Sequence, residues 1–198
     1  MRWLAMFCGV LLLTIGLAVE AHAGTVTGVV TTPKPRDREN VVVYIDRIPG
    51  NTFPAPEKHA SMQQRGLTFI PHVLPLVVGT TVDFLNSDDV LHNVFTPDKI
   101  AEKFNLGTWP KGEVRSYTFK QPGSAVILCQ VHAEMEAYVV VLETPYFAVA
   151  GKEGTYTLPD VPAGTYTLKT WHERLKPQEA QVTVSEGKEA VSNFELKY

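Results

Sequence analysis

The sequence predicts an all-β protein made of two β-sandwiches, and three observations support this fold class. Short runs rich in Val, Thr, Phe and Tyr recur between clusters of Gly, Pro, Asn and Asp. No long stretch of the 198 residues has a 3.6-residue hydrophobic period, although 97–106 could hold a helical turn. The unit G-T-Y-T-L occurs at 154–158 and again at 164–168, with turn residues between the two copies. Its alternation of large apolar and small polar residues predicts a β-hairpin with one buried face.

The N-terminus has the pattern of a secretory signal peptide. Arg2 is followed by an almost uninterrupted apolar run at 3–19, and A-H-A at 21–23 forms a cleavage pattern. The alternative is a permanent anchor, but the run is only about as long as the shortest membrane-spanning helices. We therefore predict that residues 1–23 are removed, that the mature chain has no membrane span, and that it is periplasmic or secreted.

Charge and cysteine content limit what this protein can bind. The 18 Lys and Arg against 21 Asp and Glu give a net charge of −3, without a basic patch. This balance argues against nucleic acid as a partner and against a polybasic membrane-surface module. Removing the leader leaves Cys129 as the single cysteine of the two in the sequence. A lone exported thiol is buried, paired with another chain, or bound to something.

Strands are predicted on both sides of two loop-like stretches, 49–65 and 143–145. The alternation of apolar residues predicts strands before Pro145 at 25–31, 41–46, 74–78, 81–85, 114–119, 125–128 and 138–142. After Pro145, strands are predicted at 146–150, 155–158, 165–171, 180–184 and 192–197. The spacing is typical of sandwiches and barrels.

A metal-binding motif lies between two of these strands. Cys129, His132 and Met135 form C-x-x-H-x-x-M on the short loop between 125–128 and 138–142, and His92 follows the strand at 81–85. A thiolate, two imidazoles and a weak axial thioether are the donor set of a mononuclear type 1 copper site. Zinc normally takes a tetrahedral site without methionine, and an iron–sulfur cluster needs more thiolates.

The middle of the chain resembles a plastocyanin/amicyanin-type cupredoxin, or blue copper protein. The resemblance rests on V-D-F-L-N at 82–86, H-N-V at 92–94, Y-T-F-K-Q-P-G at 117–123 and the C-x-x-H-x-x-M loop. It implies a Greek-key β-sandwich with His92, Cys129, His132 and Met135 as copper ligands. It also implies that Asn93 ties the strand of the first histidine to the cysteine loop.

The sequence departs from that family pattern in ways that leave alternatives open. Val131 replaces the proline often found before the second histidine. Glu134 and Glu136 flank Met135, so a carboxylate could take the axial position instead. The segment 99–109 has no assigned role.

Three further histidines lie outside this motif. His59 and Met62 could form an auxiliary copper site, although an ordinary surface loop is the favoured interpretation. We expect His72 to lie in a strand-entry turn, and His172 to be structural or exposed.

The C-terminal part resembles the carboxypeptidase-regulatory-like domains, which are small transthyretin-like β-sandwiches. The resemblance covers 146–198, but the opening pieces of such a domain occur instead as G-T-V-T-G-V-V at 24–30 and V-V-V-Y at 41–44. Residues 24–50 therefore either complete the C-terminal sandwich, which we favour, or belong to the middle region. The predicted division is a cupredoxin region at 24–143, with its core at about 58–143, and a C-terminal sandwich at 144–198.

These patterns predict an exported copper protein that carries single electrons between redox partners. The resemblance implies a c-type cytochrome, a dehydrogenase or an oxidase as the partner. The alternative is a copper-holding or copper-delivery protein that uses the same ligands. In a third hypothesis, the C-terminal sandwich is the main functional part and serves as an adhesion or spacer module. We predict no enzymatic activity, because the sequence has no G-x-S-x-G, H-E-x-x-H or phosphate-binding loop.

Overall fold

A computed structural model describes residues 23–198, which form four β-sheets arranged as two sandwiches. The all-β fold class is therefore confirmed. The predicted signal peptide lies outside the described residues, apart from Ala23. Among residues 23–198, no helix is long and apolar enough to cross a bilayer.

The strands between residues 60 and 142 form the first sandwich, which we call the middle sandwich. Its strands are β3 (Ala60–Gln64), β4 (Phe69–Ile70), β5 (Val73–Val77), β6 (Thr81–Asn86), β7 (His92–Phe95), β8 (Asn105–Trp109), β9 (Val114–Thr118), β10 (Gly123–Leu128) and β11 (Glu136–Leu142). One sheet has the order β4-β3-β6-β9 and the other β5-β11-β10-β7-β8. Two pairings, β3 with β6 and β5 with β11, are parallel, and the others are antiparallel.

Alternating side chains of the two sheets meet in one core. In β6, Val82 and Phe84 are fully buried while their neighbours in sequence are partly exposed. The same core contains Ile127 and Val139 of the opposite sheet, together with Cys129. The period of two residues thus places one apolar face of each sheet against the other.

The remaining strands form a second sandwich, which we call the outer sandwich. Its strands are β1 (Gly24–Thr31), β2 (Val42–Ile45), β12 (Phe147–Val149), β13 (Thr155–Val161), β14 (Gly164–Trp171), β15 (Glu179–Val184), β16 (Glu189–Val191) and β17 (Phe194–Glu195). Strand β1 lies between β13 and β16 and also pairs with β17, whereas β2 lies between β12 and β14.

The two N-terminal strands therefore pair with strands that follow residue 146. The range 24–143 predicted for the cupredoxin region differs from this pairing, since its first two strands lie in the other sandwich. The reason is apolar burial. Val26, Val30, Val43 and Ile45 pack into a separate core with residues such as Leu158.

One local prediction agrees with the structure and two differ from it. The helical turn expected within 97–106 is a short 3₁₀ helix, Lys99–Ala101, and β8 follows it. Strand β3 lies inside the stretch predicted as a loop. The prediction missed it because one of its two inward positions is the polar Gln64, and the other is Met62. The strand expected at 192–197 is shortened to β17, and a separate strand, β16, precedes it; both pair with β1.

A smaller apolar cluster joins the two sandwiches. Val73, Val140 and Leu142 of the middle sandwich pack with Val42 of the outer sandwich, and aromatic side chains flank them. Polar contacts add to this contact surface, since Arg47 binds the Glu143 carboxylate through two hydrogen bonds of 2.9 and 3.2 Å.

Candidate metal centre

Three potential ligands converge where β7 begins and β10 ends. His92 is the first residue of β7, and Cys129 directly follows β10, which pairs with β7. Cys129 Sγ lies 4.0 Å from His92 Nδ1 and 4.0 Å from His132 Nδ1. The two Nδ1 atoms lie 3.1 Å apart. The structure therefore brings together three of the four predicted ligands around one point.

Met135 occupies the same buried region. Its side chain is almost fully buried and belongs to the same core cluster as Cys129. Its backbone N–H donates to the His132 carbonyl oxygen at 3.1 Å, which closes the turn between β10 and β11. The thioether is thus buried on the inner side of the loop, in the core that contains Cys129.

The donor atoms fit a copper ion. Two ring lone pairs that face each other at 3.1 Å repel unless a proton or a cation lies between them. The group of His92, Cys129 and His132 has all its ligand atoms within 4.8 Å of one another and contains no carboxylate. A thiolate and two imidazoles form the equatorial set of a type 1 copper site, and soft sulfur favours Cu(I).

Asp88 fixes the orientation of the His92 ring. Its Oδ2 lies 2.9 Å from His92 Nε2, and a carboxylate can only accept, so Nε2 donates. When this ring is neutral, its lone pair is then on Nδ1, which lies 4.0 Å from Cys129 Sγ. Burial raises the pKa of Asp88, but hydrogen bonds from the backbone of Leu67 and Gly66 and from His92 outweigh it and lower that pKa to about 2. The carboxylate is therefore ionised at neutral pH.

The loop that precedes His92 is held by Asn86. Its Nδ2 donates to the carbonyl oxygens of Val90, at 2.8 Å, and Trp109, at 3.0 Å. Its Oδ1 accepts the N–H of Asp88 at 2.9 Å. One buried amide thus positions the residue that orients His92.

Asn93 joins the first histidine strand to the cysteine loop. Its backbone N–H donates to Cys129 Sγ at 3.4 Å, and its Oδ1 accepts the N–H of Gln130 at 3.2 Å. Its Nδ2 donates to Asn105 Oδ1 and to the Gly107 carbonyl oxygen, both on β8. These contacts connect β7 to the cysteine loop and to β8.

The two glutamates beside Met135 lie on the solvent side of the loop. Glu134 and Glu136 are exposed, whereas Met135 between them is buried. Glu136 accepts a hydrogen bond from the Tyr138 hydroxyl at 2.6 Å. Burial thus favours the thioether over either carboxylate for the inner position.

The proposed auxiliary site is not assembled. Met62 is fully buried in the core, whereas the exposed His59 ring contacts Asp83 Oδ1 at 2.9 Å.

The other two histidines have structural contacts. His72 contacts Glu173 across the two sandwiches at 2.9 Å. His172 is buried and accepts the N–H of Arg174.

Sequence reasoning misses Asp88, Gln64 and Trp109. Asp88 was not among the predicted site residues, although its position four residues before His92 is a usable signal. Gln64 and Trp109 carry no local signal, because their proximity to the site comes from pairings between distant strands.

A family comparison supports the second region. The model of the carboxypeptidase regulatory-like domain matches residues 133–197. This range includes β11 to β17 but not β1 and β2. The match confirms the resemblance of the C-terminal region to these domains. The two-sheet sandwich with its His-Cys-His group confirms the cupredoxin-like character of the middle region. No curated protein matches the sequence.

Solved structures of copper proteins are similar to part of the chain. A copper-containing nitrite reductase from Thermus scotoductus SA-01 is 27% identical over 59% of this chain and 28% of its own, with a TM-score of 0.42. A purple cupredoxin from Nitrosopumilus maritimus is 25% identical over 41% of this chain and 98% of its own, with a TM-score of 0.39. The reduced Cu(I) form of an amicyanin mutant at pH 4 is 23% identical over 48% of this chain and 96% of its own, with a TM-score of 0.41.

Proposed function

We propose that this protein is an exported type 1 copper protein that carries single electrons between redox partners. One observation carries the proposal: His92, Cys129 and His132 converge on one point, beside a buried Met135. Copper held by these four side chains would supply one-electron redox chemistry. This proposal includes a periplasmic or secreted location, which rests on the leader sequence.

The hydrogen bonds around the site favour a carrier. Asp88 fixes His92, Asn93 donates to Cys129, and the Met135 N–H closes the loop onto His132. Ligands held in this way move little when the charge at the site changes by one. A small structural change lowers the reorganisation that electron transfer requires.

The surface around His132 is suited to a redox partner. His132 is partly exposed, and Val131 beside it is 48% exposed. Leu91, which precedes the other ring, is 54% exposed. An apolar face beside a ligand allows close approach without the desolvation of charged groups. We propose that a c-type cytochrome, a dehydrogenase or an oxidase docks at this face.

Copper holding or delivery is the second candidate function. The partial exposure of His132 favours it, because an incoming ligand could displace this ring first. A delivery protein should pass its metal to an acceptor, whereas a carrier should retain it through many redox cycles.

The test is an absorption spectrum of residues 24–198 after addition of Cu(II) and then of ascorbate. We expect an intense visible band that bleaches on reduction and returns on oxidation. Cys129→Ser should abolish the band, because the thiolate is its source. Met62→Leu is the matched control, since it removes a buried sulfur outside the site, and it should keep the band.

Two results would contradict the carrier. A Cys129→Ser variant that kept the band would disprove the assignment of the thiolate. Loss of copper to a chelator within a few redox cycles would favour delivery.

A further inference from the structure

We propose that Gln64 is a positioning residue for the Cys129 sulfur, acting through the backbone of Asn93. This inference rests on the proposed function, because it concerns the same site. Gln64 is the last residue of β3, which belongs to the sheet opposite the ligands. Its side chain bridges the two sheets, and its Nε2 donates to the Asn93 carbonyl oxygen at 3.2 Å.

Asn93 is held on both sides of its α-carbon. Its N–H points to Cys129 Sγ at 3.4 Å, and its carbonyl oxygen accepts from Gln64. These two groups are the ends of one residue, so the bond at the carbonyl limits rotation of the backbone that aims the N–H. Gln64 therefore influences the hydrogen bond to the sulfur without contacting it.

Core packing alone does not explain an amide at this position. Gln64 is fully buried, and its Oε1 has no hydrogen-bond partner among the described residues. A buried acceptor without a partner is unfavourable, and a methionine fills nearly the same volume without that cost. The Nε2 contact to Asn93 is the feature that methionine would lack.

Strand register does not need the side chain either. The Gln64 backbone pairs with Asn86 of β6, and its carbonyl oxygen accepts the Ser87 N–H at 2.8 Å. These backbone contacts hold the end of β3 in place. The side-chain amide is thus not needed for strand register, and it hydrogen-bonds instead to β7, the strand that contains His92.

The main test uses Gln64→Met in the metal-free protein, residues 24–198. We expect exchange of the Asn93 amide proton, relative to core amides such as those of Phe84 and Val139, to rise about tenfold, because local opening becomes easier. Val82→Ala is the control. It opens a cavity in the same core and should raise exchange at all these amides together. An unchanged ratio in Gln64→Met would overturn the proposal.

A second variant and a second measurement test the same role of Gln64 independently. Gln64→Leu also lacks the donor, so the same rise in the ratio is expected in a side chain of different shape. In the copper-loaded protein, both variants should shift the visible band and lower the reduction potential, because a weaker N–H···S bond makes the sulfur a stronger donor. A potential equal to that of the wild type would contradict the proposal.

The two hypotheses fail in different ways. If the wild type shows no visible band, the proposed function is wrong, and the exchange ratio in the metal-free protein still decides the role of Gln64. If the wild type shows the band but the exchange ratio of Gln64→Met does not change, only the positioning role is wrong.

Discussion

At the scale of single residues, the site depends on side chains that hold the ligands. Asp88 contacts His92, and Asn93 contacts Cys129. Each of these contacts fixes a donor atom in the orientation that a metal requires. The candidate ligands could be predicted from C-x-x-H-x-x-M and H-N-V, because each motif is local in the sequence. Gln64 was not, because it reaches the site from another sheet.

Replacing Asp88 tests this dependence. In Asp88→Asn, His92 Nε2 loses a charged acceptor, and the ring is less firmly held with Nδ1 toward the site. We expect copper affinity to fall about 10- to 100-fold, measured by competition with a Cu(I) chelator. Asp89→Asn is the matched control, since Asp89 is exposed and its carboxylate accepts a hydrogen bond from Lys111 at 2.8 Å. Equal affinity in the two variants would contradict the role of Asp88.

At the scale of elements, strands with strong alternation were predictable and strands with polar inward positions were not. Strand β6 alternates Val82 and Phe84 with polar or exposed neighbours, and its pattern is plain in the sequence. Strand β8 reads N-L-G-T-W, where only Trp109 is fully buried. It becomes a strand because β7 pairs with it, with His92 opposite Trp109. Tertiary pairing thus overrides a weak local signal.

Glycine at one position of β1 is required by the close approach of the backbone that connects β16 to β17. A Cβ at Gly28 would overlap the Ser192 carbonyl oxygen, which belongs to the backbone and cannot easily move. We expect Gly28→Ala to lower the free energy of unfolding by about 3 kcal/mol, as overpacking in a rigid core does. Chemical denaturation measures this change. Gly151→Ala is the control and should be nearly neutral, because a Cβ added there would meet no atom of the described residues within 4 Å, its chain neighbours aside. Equal stability of the two variants would contradict this packing.

At the scale of the whole molecule, the middle sandwich lies between two parts of the outer one along the chain. Strands β2 and β12, which precede and follow it, are antiparallel neighbours, with Tyr44 opposite Phe147. The sequence indicated this arrangement, because the G-T-V-T-G-V-V segment that resembles the opening strand of the C-terminal domain lies at 24–30. The contacts that join the two sandwiches were not predictable, because they depend on residues about a hundred positions apart, such as His72 and Glu173.

Removal of residues 146–198 tests the arrangement. Strands β1 and β2 would lose their partners, leaving unpaired sheet edges, and we expect aggregation. Size-exclusion chromatography and light scattering measure this outcome. A chain of residues 52–144, which also lacks β1 and β2, is the control and should stay monomeric. A monomeric chain of residues 24–145 would argue against the pairing.

A buried carboxylate also links distant parts of the outer sandwich. Asp37 is fully buried, accepts from the Tyr198 hydroxyl, and lies 3.0 Å from the Arg174 guanidinium. The hydrogen bond from Tyr198 lowers the pKa of Asp37; burial opposes this, and Arg174 and Arg36 add to the lowering. A lowered pKa in the folded state stabilises the protein at pH values above the ordinary value of 3.8. The stabilisation is lost as the pH falls through the lower, folded-state value.

Asp37→Asn should therefore be less stable by about 3 kcal/mol at neutral pH, and this difference should shrink as the pH falls below 3.8. Urea denaturation at several pH values measures it. Glu39→Gln changes an exposed acid nearby and should show no such difference. A difference that stayed constant down to about pH 2 would contradict the assigned pKa direction.

The pairing of β1 with strands more than 120 residues later has a consequence for the order of folding. A chain synthesised from its N-terminus presents β1 and β2 first, but their partners, β12, β13, β14, β16 and β17, come last. Strands β3 to β11 need only residues 60–142 to pair with one another. Because nearby contacts form sooner than distant ones, we expect the middle sandwich to fold first. Its cysteine and histidines could then capture a metal ion while the outer sandwich is still open.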